Sequence, residues 1–275
     1  MFILLGNPVE HSLSPVIHNS ACSDLGLNSV YLACPVEANR LKAALEGMKA
    51  LSVVGANVTS PYKEAVIPFL DSISTESKQI RSVNTILNKN GHLHGTSTDG
   101  EGLFRSLKNA APGYQSGQNI MMIGAGGAAR AAAYTLATRG AAKMTVFNRS
   151  RQKGRELSAM LAEFTPVRQS SDLPFQKDVL KQTIANCKVI IYCLPFDSPE
   201  FIETLAEMDW PDHNPLLIDL RYSPARTTVM AAFEDKGGKA VNGLDMLVGQ
   251  AALSFELFTG KKAPLEVMQK AVGMV

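Results

Sequence analysis

Apolar and polar positions fall in short alternating blocks along the chain, and the blocks predict strands and helices taking turns from one end to the other. The apolar run over 2–5 reads as a buried strand. A helix is expected to open near Ser14-Pro15, with Ser14 as N-cap and Pro15 in the first turn. Strands are predicted over 29–35 and 53–58, with a helix over 37–50 between them. The segments 83–87 and 92–95 read as a hairpin, because Asn90-Gly91 between them is a strong turn signal. A helix is expected over 99–110. The polar stretch 111–117, which holds Pro112, Gly113 and Gly117, marks the approach to a second domain. Beyond it the pattern restarts, with a strand over 119–123, an Ala-rich helix stopping at Gly140, a strand over 143–147 and a helix over 150–163. Further strands are predicted over 188–192, 215–220 and 239–241. Repeated strand–helix units imply a mostly parallel sheet covered by helices, an α/β fold. The last segments, 244–259 and 264–272, are purely helical and belong clearly to neither pattern.

Composition narrows the class. At 275 residues the chain is long enough for about two domains. With 45% apolar and 19% charged residues it can bury a sizeable core. Lys+Arg 27 against Asp+Glu 25 leaves a net charge of +2, which gives no electrostatic basis for binding nucleic acid or an anionic membrane. The four cysteines, Cys22, Cys34, Cys187 and Cys193, form no C-x-x-C pair, so neither a zinc nor a redox motif is expected. Too few for a disulfide scaffold, they point to the reducing cytoplasm. No apolar run approaches the roughly 18–20 residues of a membrane span, and the first residues lack the basic region of a signal peptide.

The sharpest local signal is NIMMIGAGGAAR, where Gly124, Gly126 and Ala129 match G-x-G-x-x-G/A directly after a predicted strand and at the start of a helix. There Gly124 permits a tight turn, Gly126 lets a pyrophosphate approach the backbone, and Ala129 lets helix and strand pack closely. The helix N-terminus adds unpaired N–H groups and a positive dipole end. An ordinary glycine-rich turn is the bland alternative, and the strand–turn–helix context favours a nucleotide over it. The next strand ends at Asn148, where an NAD site would place an acid, and Arg149, Ser150, Arg151 and Lys153 follow. Arg and Lys attract a 2′-phosphate and Ser hydrogen-bonds it, which favours NADP. A solvated charge run with Ser150 capping a helix is the competing explanation, and Arg151 is read as solvated.

Five polar clusters lie at strand ends, in loops or in otherwise apolar elements. HSLSPVIHN holds Ser12 and Ser14, and helix capping accounts for Ser14 but not for His11 and Ser12. NVTSPYK begins at the C-terminal end of a strand, where α/β proteins place ligand sites; it holds Thr59 and Lys63. Asn84 stands inside an apolar strand and needs buried partners or a ligand. Asp99 sits at a strand-to-helix junction, where capping is the plain explanation. Gln250 interrupts an apolar helix, where polar-face filler is the plain explanation.

Together, and in order, these segments resemble the shikimate dehydrogenases. HSLSPVIHN is similar to the family's H-S-x-S-P-x-x-H-N, NVTSPYK to N-V-T-x-P-x-K, TDGEG to T-D-x-x-G, DLRYSPART to D-x-x-Y-x-P-x-x-T, and NGLDMLVGQA to N-G-x-x-M-L-x-x-Q-A. The resemblance implies Lys63 and Asp99 as the catalytic pair. It implies Ser12 and Ser14 on the substrate carboxylate, with Thr59, Asn84, Tyr222 and Gln250 as further substrate contacts. The cofactor segments imply contacts from Gly124, Ala125, Gly126, Gly127, Ala128, Asn148, Arg149, Ser150, Lys153, Leu220 and Gly243. It further implies a shikimate-binding catalytic domain built from 1–110 and 242–275. A Rossmann-type NADP domain over 111–241 is inserted in it, and the active site is expected in the cleft between them.

The reaction implied is reversible NADPH-dependent reduction of 3-dehydroshikimate to shikimate in aromatic amino-acid biosynthesis, by a cytoplasmic monomer or homodimer without a metal. A quinate/shikimate dehydrogenase of broader range, a folate-type NADP dehydrogenase of related design and a non-catalytic shikimate- and NADP-binding regulator are the alternatives. Three departures from the family pattern stand out: Ser97 before Thr98-Asp99, Arg81-Ser82 before Asn84, and residues 192–197, which read YCLPFD in place of N-x-T followed by P-x-G-M. The last bears on nicotinamide seating.

Overall fold

The computed structural model describes residues 1–167 and 169–274. The chain divides into two compact units, one of Met1–Gly102 with Leu247–Val275 and one of Leu103–Met246.

The first unit opens with β1 (Phe2–Gly6), α1 (Ser14–Asp24), β2 (Tyr31–Pro35), α2 (Leu41–Ala50), β3 (Gly55–Val58), α3 (Tyr62–Ala65), β4 (Ser72–Ile73), α4 (Thr75–Ile80), β5 (Thr85–Lys89), β6 (His92–Thr96) and the first turn of α5 (Asp99–Ala110), whose remainder from Leu103 belongs to the second unit. Its sheet has the order β2-β1-β3-β5-β6-β4. β1 runs parallel to β2 and β3, whereas β5 is antiparallel to both β3 and β6. The C-terminal ends of β1, β3 and β6 and the start of β5 therefore share one edge. Period-two alternation buries both faces of β1: Phe2 and Leu4 enter one core, Ile3 and Leu5 the other. The β5–β6 turn places Asn90 and Gly91 at φ 55° and 86°, the left-handed pair that a two-residue hairpin needs.

The second unit continues with β7 (Asn119–Ile123), α6 (Gly127–Thr138), β8 (Lys143–Phe147), α7 (Arg151–Phe164), β9 (Gln169–Leu173), α8 (Lys177–Ile184), β10 (Val189–Tyr192), α9 (Pro199–Glu207), β11 (Leu216–Asp219), α10 (Thr228–Glu234) and β12 (Lys239–Val241). Its sheet is parallel throughout, in the order β12-β11-β10-β7-β8-β9. The chain builds outward from β7 to β9, then returns to the other side of β7 at β10. That reversal is the topological switch point at which such sheets bind ligands. Helices α11 (Leu244–Thr259) and α12 (Leu265–Lys270) close the chain, and Val248, Ala251, Phe255, Phe258 and Met268 bury themselves against β1 and α1 residues of the first unit.

Some elements differ from the sequence expectation. The strand expected from 29 begins at Tyr31, and the helix expected over 37–50 is a 3-10 turn, Ala38–Arg40, followed by α2. Ser14 is not the N-cap of α1. Leu13 holds that position, and Ser14 is already helical, its N–H donated to Ser12 Oγ at 3.2 Å. Among the described residues no helix is long and apolar enough to cross a membrane, and no group of His, Cys, Asp or Glu is arranged to hold a metal.

Candidate functional site

In the first unit the polar residues that sequence singled out gather on the shared sheet edge. Ser12 and Ser14 follow β1, Thr59 and Lys63 follow β3, Asn84 precedes β5, and Asp99 follows β6 as the first residue of α5. Lys63 Nζ lies 2.6 Å from Asp99 Oδ2. The Asp99 side chain is buried while that of Lys63 stays partly open, so the pair presents its ammonium outward. The other carboxylate oxygen, Oδ1, accepts from the Asn84 amide at 2.8 Å. The same amide nitrogen donates to Gln250 Oε1 at 3.2 Å, and the Asn84 amide oxygen accepts from Thr98 N–H at 2.8 Å. Asp99 thus spends its carboxylate on Lys63 and Asn84 rather than on capping α5, and Gln250 is buried rather than a surface filler.

Behind these residues runs a buried network. Asn57 Nδ2 donates to Ser254 Oγ at 2.9 Å and to the Asn84 carbonyl at 3.1 Å. Asn57 Oδ1 accepts from the Tyr31 hydroxyl at 2.9 Å. Thr85 Oγ1 donates to Asn84 Oδ1 at 2.8 Å and lies 2.9 Å from Ser254 Oγ. A run of hydrogen bonds therefore links Tyr31 to Lys63 through Asn57, Asn84 and Asp99. Burial raises the pKa of the Tyr31 phenol above the usual tyrosine range, which keeps it a donor. Sequence singled out none of Tyr31, Asn57, Thr85 and Ser254. The available signal was polar residues at interior positions of apolar elements, which must find buried partners.

In the second unit Gly124 follows β7 with φ +113°, a left-handed value that a side chain would resist. Gly126 is the N-cap of α6, no side chain caps the helix, and a Cβ there would meet nothing within 4 Å. The first-turn amides at Gly127 and Ala128 thus border open space at a helix N-terminus, beside Ala125 at the switch point. Such a cradle suits a pyrophosphate. Asn148, Arg149, Ser150 and Lys153 follow the neighbouring strand β8, with Arg149, Ser150 and Lys153 exposed. Ser150 is the N-cap of α7 but makes no side-chain capping bond, and Asn148 donates to the Ser150 carbonyl at 2.9 Å. Arg151, read as solvated, pairs with Asp172 at 3.1 Å. These residues fit a dinucleotide carrying an extra phosphate. Tyr222 stands just beyond β11, half-buried, its pKa raised by burial. Gly243 is required by close approach, because a Cβ would fall 2.1 Å from the Leu220 carbonyl oxygen.

Three stretches of the chain match known families. Residues 4–86 match the shikimate dehydrogenase substrate binding domain, 107–221 match shikimate / quinate 5-dehydrogenase, and 243–272 match the shikimate 5'-dehydrogenase C-terminal domain. A shikimate dehydrogenase (NADP(+)) of Alkaliphilus metalliredigens is 39% identical over 271 residues, which cover 98% of this chain and 94% of that protein. The chain belongs to the shikimate dehydrogenase family.

Solved shikimate dehydrogenases share the fold over nearly the whole length. The Listeria monocytogenes enzyme, in complex with shikimate and NAD, superposes with a TM-score of 0.88 at 30% identity, covering 98% of this chain and 95% of that one. The Thermus thermophilus enzyme, in complex with NADP(H) and shikimate, gives 0.83 at 32% identity, covering 98% and 97%. Against the family pattern, the departure at 192–197 is packed rather than loose. The Tyr192 ring is fully buried. Its hydroxyl donates to the Phe196 carbonyl at 2.9 Å and accepts from Ser198 N–H at 2.8 Å. Burial pushes the Tyr192 pKa up to about 12. The strand end that the resemblance expects to carry Asn and Thr is closed by a phenol instead.

Proposed function

We propose that the protein catalyses the reversible NADPH-dependent reduction of 3-dehydroshikimate to shikimate in the shikimate pathway, with Lys63 and Asp99 as its acid–base pair. The observation that carries this is the 2.6 Å contact between Lys63 Nζ and Asp99 Oδ2, in a chain whose relatives are named for the activity. NADPH, when bound, supplies the hydride that reduces the C3 carbonyl carbon. As charge develops on the carbonyl oxygen, the Lys63 ammonium stabilises it and delivers the proton. In the oxidation direction the neutral Lys63 amine takes that proton back. Asp99 orients Lys63 and accepts a hydrogen bond from a substrate hydroxyl. Ser12 and Ser14 donate to the carboxylate, and Thr59, Asn84, Tyr222 and Gln250 contact the rest of the substrate.

The glycine-rich turn from Gly124 through Ala128 cradles the pyrophosphate of the dinucleotide. Arg149, Ser150 and Lys153 hold the 2′-phosphate, Asn148 contacts the adenosine half, and Leu220 and Gly243 border the nicotinamide. The unit carrying Lys63 and Asp99 is the substrate unit and residues 111–241 the NADP domain of a cytoplasmic enzyme. The test is a spectrophotometric assay of purified protein for NADP reduction with shikimate, beside quinate and beside NAD. Shikimate-dependent reduction of NADP, faster than with quinate or NAD, is expected. Binding of both shikimate and NADP without any hydride transfer would replace the enzyme by a ligand-binding regulator.

A further inference from the structure

Strands β10 and β8 flank β7, so the loops that follow them stand on either side of the glycine-rich turn. One side chain from each meets the other there: the Arg149 guanidinium lies over the Phe196 ring, 5.7 Å from its centroid. Phe196 is 45% exposed, so its ring is not explained by core packing. The loop beneath it is fixed. Tyr192 binds both the Phe196 carbonyl and Ser198 N–H. Asp197 pairs with Arg221 Nη2 at 2.8 Å. Arg221 lies 5.1 Å over the Tyr192 ring and is held by the fully buried Asp219, with Nη2 to Oδ2 at 2.6 Å and Nε to Oδ1 at 3.0 Å. Thr227 donates to the same carboxylate at 2.8 Å.

We propose that Phe196 is a specificity-determining positioning residue, whose π face holds the Arg149 guanidinium beside the glycine turn for the 2′-phosphate that separates NADP from NAD. The proposal rests on the assignment of that phosphate to Arg149. An unrestrained arginine loses rotamer freedom when it binds; one already held over a fixed ring has lost part of it beforehand. A cation held over a ring by its charge keeps N–H donors available to a phosphate. The Tyr192, Asp197 and Arg221 contacts supply the rigidity the ring needs. Where the resemblance expects Asn at 192 and Gly at 197, these residues form one supporting unit for Phe196.

The test measures dissociation constants of NADP and NAD by calorimetry for wild type, Arg149→Ala, Phe196→Ala, Phe196→Tyr and the double alanine variant. An exposed cation–π contact corresponds to about two- to fivefold in affinity. Phe196→Ala is expected to weaken NADP by about that factor and NAD hardly at all. Phe196→Tyr, which keeps the ring, should retain wild-type preference, and Phe196→Ala should change nothing further once Arg149 is alanine. Equal losses for NADP and NAD in Arg149→Ala would remove the assignment of the phosphate and this inference with it. If Arg149→Ala discriminates but Phe196→Ala leaves the NADP-to-NAD ratio unchanged, or weakens both equally, the positioning role of Phe196 is overturned while the role of Arg149 stands.

Discussion

A carboxylate as buried as that of Asp99 is costly unless opposite charge and hydrogen bonds surround it. Lys63 and the Asn84 amide supply both. His18 is the contrary case. It is fully buried and stacked 4.2 Å from Tyr31, and neither ring nitrogen has a hydrogen-bond partner. Burial lowers its pKa from 6.5 to about 3. Between those values the unfolded chain binds a proton that the folded chain refuses. The His18 contribution therefore makes stability fall as pH drops from 6.5 toward 3, by about 1.4 kcal/mol per unit. His18→Phe keeps the stack and removes that proton. Urea unfolding at pH 7 and pH 5 should show the variant gaining on wild type at the lower pH. An unchanged difference between the two pH values would show that His18 does not titrate in this way. The sequence segment HSLSPVIHN drew attention to His11 and Ser12, and gave no means of telling that His18 would be enclosed by Tyr31, Phe255 and Phe258, since two of those rings are distant in the chain.

At the scale of elements, strands with complete apolar runs were legible. The predictions for 119–123 and 143–147 coincide with β7 and β8, because strands buried on both faces read as mainly hydrophobic blocks; the prediction for 239–241 coincides with β12, a partly buried strand at the sheet edge. Between residues 59 and 84 the elements α3, β4 and α4 went unread, each too short to establish a period. Helices α9 and α10 were also unread, although Ser198 before Pro199 and Thr227 carry N-cap signals; both side chains accept first-turn N–H bonds. The loop between β10 and α9 shows what sequence could not give. The departure at 192–197 bears on nicotinamide seating, and sequence gave no sign of how the segment itself is packed. The structure gives Tyr192 two hydrogen bonds within the loop and Arg221 across its ring. Tyr192→Asn, which moves the strand toward the family pattern, should therefore destabilise the protein by about 3 kcal/mol, as other large-to-small core changes do. Equilibrium denaturation checks this, and a variant as stable as wild type would show that the phenol is not a structural pin.

For the whole molecule, the discontinuous first unit explains why the last helices fitted neither sequence pattern. Nearly every face of α11 is occupied: Phe255 and Phe258 enter a core built by β1 and α1, while Gln250 and Ser254 enter the polar network around Asn84 and Asn57. A helix apolar on so many sides carries little amphipathic signal to say where it docks. Chemistry was more legible than packing. Lys63, Asp99, Asn84 and Gln250 lie far apart in sequence, and the fold brings them into one hydrogen-bonded group. The measurement that tests the account most directly is turnover of Lys63→Ala set beside its affinity for shikimate. Loss of a general acid–base group should lower kcat for shikimate oxidation by about 10²–10⁴-fold, while the shikimate dissociation constant changes only a few-fold. Turnover close to wild type in this variant, with folding intact, would contradict the assignment of proton transfer to Lys63.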